Sequence, residues 1–366
     1  MIERRLYLHV DWALAVAVYL LCIIGVIMVF SASPEVTRPG ATPLYATQFA
    51  ALVLGTLALL VCAGIDYRSL ADRSHLIYGG LILLLLYVLF FGVVRGGGRR
   101  WIPLPWFNLQ PSEFMKLGLA LVLARLFGES RRKTPTGHDL AVAGVLTAVP
   151  LVLIARQPDL GTAATLVPIL IGIAFVAGIR LKVAGVLLAL AIVVSPVVWN
   201  YALKDYQKGR VLTFVDPWRD PHGDGYQQIQ AQIAVGAGGL WGKGFRQGTQ
   251  GQLSFLPVKH NDFIFSVLAE EHGFVGVLVV LGLYLFVVLR SLDTARVAKD
   301  RLGTLLVIGV VSCFTFQVVY NVSMSAGLAP VKGLTLPLLS YGGSSLIATL
   351  AGFGLILNVR MRRFTN

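Results

Sequence analysis

Charge is scarce in this chain. Only 13% of its 366 residues are Asp, Glu, Lys or Arg, against 56% that are hydrophobic, too little charge to solvate the surface of an ordinary globular domain. Cysteine is scarcer still: Cys22, Cys62 and Cys313 fall in apolar runs, where a free thiol acts as a small hydrophobe. No disulfide framework is read from them. The six His are scattered, and no His/Cys spacing suits zinc. Neither a P-loop nor a dinucleotide fingerprint occurs, which excludes transport driven by an ATPase of the chain's own. No internal repeat and no soluble domain are visible. Acidic residues number 18 against 31 Lys and Arg, a formal charge of +13.

What the chain has in their place is long apolar sequence, with a mean hydropathy of +0.75. A helix crosses about 30 Å of hydrocarbon with roughly 20 such residues. Runs of that kind occupy 12–31, 46–65, 75–94, 112–128, 140–156, 161–179, 183–203, 263–289, 303–323 and 338–359. The expected fold is an all-α polytopic membrane protein of about ten transmembrane helices. It forms a single domain over 1–366, with one large extracytoplasmic loop, 203–262, between the seventh and eighth helices. The first run follows a short Arg-bearing start with no small-residue cleavage site, so it reads as a retained span.

Orientation follows from Lys and Arg, which concentrate on the cytoplasmic side. With the N-terminus inside, that side collects Arg4, Arg5, Arg68, Arg73, Arg125, Arg131, Arg132, Lys133, Arg180, Lys182, Arg290, Arg296, Lys299, Arg301, Arg360, Arg362 and Arg363. An even number of spans places both termini there. Positive charge also accumulates outside, with Arg95, Arg99, Arg100 and Lys116 about the third-to-fourth connection and seven Lys/Arg in 203–261. Long loops escape the rule, but the short 95–100 cluster does not have that excuse. Nucleic acid is no partner for an outer face. An anionic lipid head group or a pyrophosphate fits such a surplus.

Polar residues then mark the outer ends of the spans. Trp101 and Trp106 suit the membrane interface, and Ser112 follows Pro111 as a candidate N-cap. Glu113 and Lys116, three apart, share a helix face and are placed to pair. In Arg156–Gln157–Pro158–Asp159–Leu160–Gly161–Thr162, Pro and Gly interrupt two apolar runs, and backbone of that kind is tolerated where it is buried or lines a cavity. Asp159 there is a candidate cap for the sixth span. Residues 229–240 suit an amphipathic or re-entrant helix, and Gly242–Lys243–Gly244 permits close backbone approach to a ligand. Asp262 stands where the long loop meets the eighth span. It reads equally as a helix N-cap and as a functional carboxylate at a bilayer boundary. Glu270 and Glu271 lie about 12 Å deeper along a helix, so at least one faces the interior or pairs with a base such as Lys116 or Arg156. Residues 332–345, ending in Ser340–Tyr341–Gly342–Gly343–Ser344–Ser345, read as cavity lining.

Taken in order, these segments resemble the SEDS family (shape, elongation, division, sporulation) over nearly the whole chain. The resemblance rests on Arg100–Trp101, Gln110–Pro111–Ser112–Glu113 with Lys116, Gln157 to Thr162, Asp216–Pro217, Gly225–Tyr226–Gln227, Phe255–Leu256–Pro257 with His260, Asp262–Phe263–Ile264–Phe265, Glu270–Glu271 and Ser340 to Ser345. The chain departs from the family pattern at Val258 and Asn261, where Glu and Thr are usual. Asp11–Trp12, Asp66–Tyr67–Arg68 and 203–207 look like the elongation branch, while 332–337 also looks like the division paralogue.

The resemblance implies a peptidoglycan glycosyltransferase that polymerises lipid II outside the cytoplasmic membrane for elongation and rod shape, in complex with a class B penicillin-binding protein. It implies Asp262 as general base for the acceptor hydroxyl, with undecaprenyl pyrophosphate leaving. Lys116, Arg100, Lys243 and Arg210 are the candidate cations for that leaving group, with Glu113 orienting Lys116. Asp159 and Ser344 join the candidate substrate contacts, and Glu270 is read as supporting. No cofactor is assigned; a divalent cation, magnesium or manganese, held by Asp262 or Asp159 is left open, although no metal-ligand spacing supports it. A lipid II flippase is the competing function, and a non-catalytic scaffold is the third.

Overall fold

The computed structural model describes residues 9–33, 43–95, 98–104, 108–130, 134–180, 205–219, 223–249 and 260–364, with 182, 183, 185, 186, 189, 193, 196, 199 and 200 between them. The chain runs through α1 (Trp12–Ala32), α2 (Leu44–Gly64), the short α3 (Tyr67–Asp72) and α4 (Ser74–Phe91). Strands β1 (Val93–Arg95), β2 (Gly98–Pro103) and β3 (Asn108–Leu109) follow. Then come α5 (Pro111–Gly128), α6 (Gly137–Arg156), α7 (Leu160–Val176), α8 (Asp205–Val215), α9 (Asp224–Ala237), α10 (Ile264–Arg296), α11 (Arg301–Ser325) and α12 (Gly343–Met361). Nine of the ten apolar runs coincide with helices among the described residues; most of the seventh, 183–203, lies outside them.

Helix is the physical answer to these runs, because in hydrocarbon every backbone N–H and C=O must be satisfied within the segment. Among the described residues, seven helices are long and apolar enough to cross a membrane. Helix α5 carries Glu113, Lys116 and Arg125, and α7 has only 17 residues. The bundle is apolar outside as well as inside. On α1, Trp12, Val16, Leu20, Ile23, Ile27 and Phe30 are exposed at the three- and four-residue spacing of one helical stripe. Helix α12 sits at the centre with 89% of its apolar window buried. A Cβ on Gly354 would lie 2.4 Å from the Leu59 carbonyl, so α2 and α12 meet backbone to backbone, as small residues allow between membrane helices.

The bundle has two polar ends. At the end opposite Asp262, ion pairs tie neighbouring elements together: Arg290 with Asp11 (2.9 Å), Arg360 with Asp293 (2.6 Å), Arg362 with Asp66 (3.4 Å) and Arg68 with Asp300 (2.8 Å). These are charges that the sequence assigns to one membrane side. At the Asp262 end lie β1, β2 and β3, an antiparallel sheet in that order, together with α8 and α9. Helix α9 fulfils the expectation of a helix near 229–240. The sheet is new.

Helix α10 is not continuous. Gly273 adopts φ 64° and ψ −164° in its interior, a conformation open to glycine alone. The nine residues from Ile264 to His272 therefore form a half-helix of their own, with Asp262 just ahead of it.

Candidate active site

Asp262 lies in the turn that leads into α10, half-buried. It is not the helix cap: Phe263 occupies that position and makes no side-chain cap bond. Its main-chain carbonyl is instead held by Asn321 of α11, whose Nδ2 donates to Asp262 O at 2.9 Å and to Leu334 O at 2.7 Å. The carboxylate is thereby free of the helix end and faces the 330–342 segment, where a Cβ on Gly333 would stand 3.5 Å from Asp262 Oδ2. The preceding turn is fixed to the same segment by Tyr341 N donating to His260 O at 2.9 Å, with the two rings packed edge-on.

Burial pushes the Asp262 carboxyl up to about 6, with Asp159 adding to the rise and Arg210 and Arg100 opposing it. That places a carboxylate near the pH at which a general base works best. Four of the residues expected from the sequence, Asp262, Arg210, Asp159 and Arg100, thus act on one another electrostatically.

Arg100 and Asp159 are built into one bracket. Arg100 extends from β2 and donates to the carbonyls of Gln157 (3.1 Å) and Pro158, with its guanidinium 3.9 Å from Asp159 Oδ1. Asp159 caps α7 as expected, accepting from Thr162 N at 3.2 Å, and it also accepts from Gln110 Nε2 at 3.0 Å. Burial pushes its carboxyl up, with Arg100 pulling against that. Ser344, at the start of α12, accepts from Gln110 N and donates to Asn108 O, at 3.0 and 2.8 Å. It therefore welds α12 to the sheet and to the start of α5. Ser112 is not an N-cap; Gln110 precedes the helix, Pro111 opens it, and Ser112 is buried within the first turn.

One turn deeper in α5, Lys116 donates to Glu113 at 2.7 Å with both side chains 6% exposed. This is the pair expected from their spacing. It lines a cavity of about 30 Å³ with Cys313, Gln317 and Thr349, enough for a water, and the Gln317 Nε2 is buried there without a partner among the described residues. Asp159 feels the charge of Glu113, and Lys116 that of Asp159. The pair therefore continues the polar column inward from the mouth.

Lys243 is placed elsewhere. Its ammonium lies 2.9 Å from Glu270 Oε1 and 2.7 Å from Thr249 Oγ1, so Glu270 pairs with Lys243 and not with Lys116 or Arg156. The glycines about it approach the backbone of α10. One group that sequence reasoning missed belongs to the site, Asn321; Lys332, in the segment expected to line a cavity, adds a cation that burial and the nearby Arg210 push down. A lone amide in an apolar run is the signal that could have found Asn321. Trp106 and residues 255–257 lie outside the described residues. Among the described residues no three His, Cys, Asp or Glu side chains gather into a cation-binding group.

Comparison with known proteins gives one consistent result. Residues 11–364 match the FtsW/RodA/SpoVE cell cycle protein family. The peptidoglycan glycosyltransferase MrdB of Escherichia coli K12 is 36% identical over 97% of this chain and 94% of its own length. The probable peptidoglycan glycosyltransferase FtsW of Geobacter metallireducens is 38% identical over 95% and 94%. Among solved structures, a chain of a peptidoglycan synthase complex that coordinates polymerization and crosslinking superposes with a TM-score of 0.82 at 38% identity, covering 98% of this chain and 99% of that one. The rod shape determining protein RodA of Thermus thermophilus superposes with a TM-score of 0.72 at 33% identity, covering 98% of each chain.

Proposed function

Because the chain belongs to the FtsW/RodA/SpoVE family, we propose that it is a peptidoglycan glycosyltransferase of the cytoplasmic membrane that polymerises lipid II, with Asp262 as its base. The observation that carries the reading is the half-buried Asp262 carboxylate, pushed up to about 6 beside Arg210 and Arg100. In the reaction a sugar 4-hydroxyl of the acceptor attacks the anomeric carbon of the donor glycan. The carbon–oxygen bond to undecaprenyl pyrophosphate breaks, the hydroxyl proton passes to Asp262, and the pyrophosphate leaves with the bonding pair. Direct displacement inverts the α-linked donor to a β-linkage.

Asp262 suits the base because its raised pKa retains proton affinity while leaving it mostly ionised at neutral pH. The leaving group gathers negative charge and needs fixed cations in a partly dry setting. Arg210 and Arg100 act on the carboxylate electrostatically, and Lys116, oriented by Glu113, waits deeper in the column. Lys332 adds a cation from the 330–342 segment. Asp159 and Ser344 hold Arg100, the sheet and α12 in register around them. No step is assigned to a metal.

The polar column opens at the end opposite the ring of Arg290, Arg360, Arg362 and Arg68 ion pairs. By the positive-inside rule that ring is cytoplasmic, with both chain ends, and the active site faces outward, on the side that carries the 203–262 loop of a single 1–366 domain. One solved relative, superposing with a TM-score of 0.82, belongs to a peptidoglycan synthase complex. A class B penicillin-binding protein is the corresponding partner here, cross-linking the strands that this chain makes in elongation.

Purified protein mixed with lipid II in detergent tests the reading, since detergent leaves no second compartment for a flippase to serve. Glycan chains form with the wild type, alone or with the partner added, and vanish with Asp262→Asn. Chains made at the wild-type rate by folded Asp262→Asn would falsify the assignment of the base. No chains under either condition would remove the polymerase.

A further inference from the structure

The break at Gly273 is bridged by another part of the chain. In an unbroken helix, Phe274 N would bond the Glu270 carbonyl and Val275 N that of Glu271. Here the 238–244 segment crosses the gap and takes both sides of each bond. Lys243 N donates to Glu270 O and Gly244 N to Glu271 O, each at 3.0 Å, while Phe274 N donates to Gly239 O at 2.9 Å and Val275 N to Leu240 O at 3.2 Å. The exchange is one for one, so the break leaves these four groups satisfied. Its cost is steric: a Cβ on Gly242 would stand 2.2 Å from Glu271 O, and one on Gly273 2.3 Å from Gly242 N. Glycine at both crossing points is what lets the two backbones touch.

Side chains lock the same crossing. Glu270 is fully buried and stands near the C-terminal, electronegative end of the half-helix, where a carboxylate is unfavourable. A buried charge there needs a counter-charge. Lys243 Nζ supplies it at 2.9 Å, and Thr249 Oγ1 donates to the same Glu270 oxygen at 3.1 Å. Glu271 is tied to α1, accepting from Ser31 Oγ at 2.5 Å. At the other end of the half-helix, Asn321 holds the Asp262 carbonyl. The nine residues between are cut off from the rest of α10 and gripped at both ends.

The geometry points to Lys243 and Glu270 as a positioning clasp that sets the half-helix 264–272, and through it the Asp262 carboxylate, for the reaction. The inference rests on Asp262 being the base. It assigns Lys243 to the clasp and takes it out of the pyrophosphate site. A displacement of about 1 Å at a reacting group costs on the order of 100-fold, so loosening the clasp reduces turnover without removing any substrate contact.

The test uses the full-length membrane protein with lipid II, alone and with its transpeptidase partner. Lys243→Met lowers kcat at least about tenfold with KM for lipid II little changed, and Lys243→Arg recovers most of the loss. Hydrogen exchange speeds up in peptides covering 238–244 and 264–275. A rise in KM at unchanged exchange assigns Lys243 to the pyrophosphate and overturns the clasp, as does faster exchange with unchanged kcat. Gly273→Ala is the second variant, since it restores a helix-forming residue and expels the crossing segment; it also lowers kcat, and full activity there sinks the proposal. Asp262→Asn is the separate arm: if it stays active, the base assignment fails whatever the clasp variants do.

Discussion

Asn321 holds Asp262 by its backbone and leaves the side chain alone: the amide donates at 2.9 Å to the Asp262 carbonyl and at 2.7 Å to that of Leu334. One fully buried side chain thus fixes the entry to α10 against the 330–342 segment that faces the carboxylate. Asn321→Leu removes both donors and leaves two carbonyls in an apolar setting, at about 1–3 kcal/mol for each buried group left unpaired. Thermal unfolding in detergent falls accordingly. Polymerisation falls further than stability, because Asp262 is no longer held against Gly333. Turnover that tracks the folded fraction alone would reduce Asn321 to a structural role.

Asp262 itself sets a pH dependence with a definite sign. Its carboxyl is pushed up to about 6, so kcat/KM falls as pH drops through that region and the base takes up a proton. The stability effect runs the other way. The folded chain holds this proton more tightly than the unfolded chain, whose carboxyl titrates at about 3.9. Ionisation therefore opposes folding progressively from about pH 4 to 6 and fully above that range. Asp262→Asn removes the buried charge. It abolishes the acid limb with the activity and melts no lower than wild type at neutral pH; a large drop in melting temperature would contradict this account.

The Glu113–Lys116 pair makes a contrasting prediction, because both partners are buried. Lys116→Met leaves Glu113 as an uncompensated buried charge, which costs about 3–5 kcal/mol. Combining it with Glu113→Gln removes that charge and recovers most of the loss in thermal stability. Polymerisation does not return with it, since the leaving group still lacks its cation. A double variant that regains turnover would show the pair to be structural only.

Some of this was open to reading in the residues and some was not. The spans announced themselves because hydrocarbon accepts only long apolar helices, and Glu113 with Lys116 announced a pair because a helix fixes their spacing. Asp159 capped its helix as its place before Leu160 suggested. Asp262 occupied what looked like the same position and did not cap, because the helix starts after Phe263 and a remote amide, Asn321, takes up its carbonyl. The break at Gly273 was equally hidden. A glycine in an apolar run reads as helix, and the groups that replace its missing bonds come from Gly239 to Gly244, about 30 residues earlier in the chain. The close backbone approach that Gly242–Lys243–Gly244 permits is used here against α10, a partner that their sequence gives no sign of. The β1–β3 sheet was lost to the eye because its strands are only three, six and two residues long.

The neighbours of Asp262 allow its electrostatics to be taken apart one charge at a time. Burial raises its pKa most, Arg210 opposes that more than Arg100 does, and Asp159 adds to it. Removing a cation removes an opposing force, so Arg210→Met and Arg100→Met each move the acid limb of kcat/KM to higher pH, Arg210→Met further. Asp159→Asn moves it to lower pH, and since Asn caps a helix as well as Asp does, α7 keeps its start. Raising the ionic strength screens these effects only weakly, because the carboxylate is half-buried and not freely solvated. The direction of each shift matters more than the loss of rate that accompanies it, for a variant that merely disturbed folding would lower the plateau and leave the limb where it was. If all three variants leave the limb in place, the titrating group in turnover is not Asp262. If Arg100→Met moves it and Arg210→Met does not, then helix α8 does not bring Arg210 to the carboxylate during the reaction, and the leaving group relies on Arg100 and Lys116.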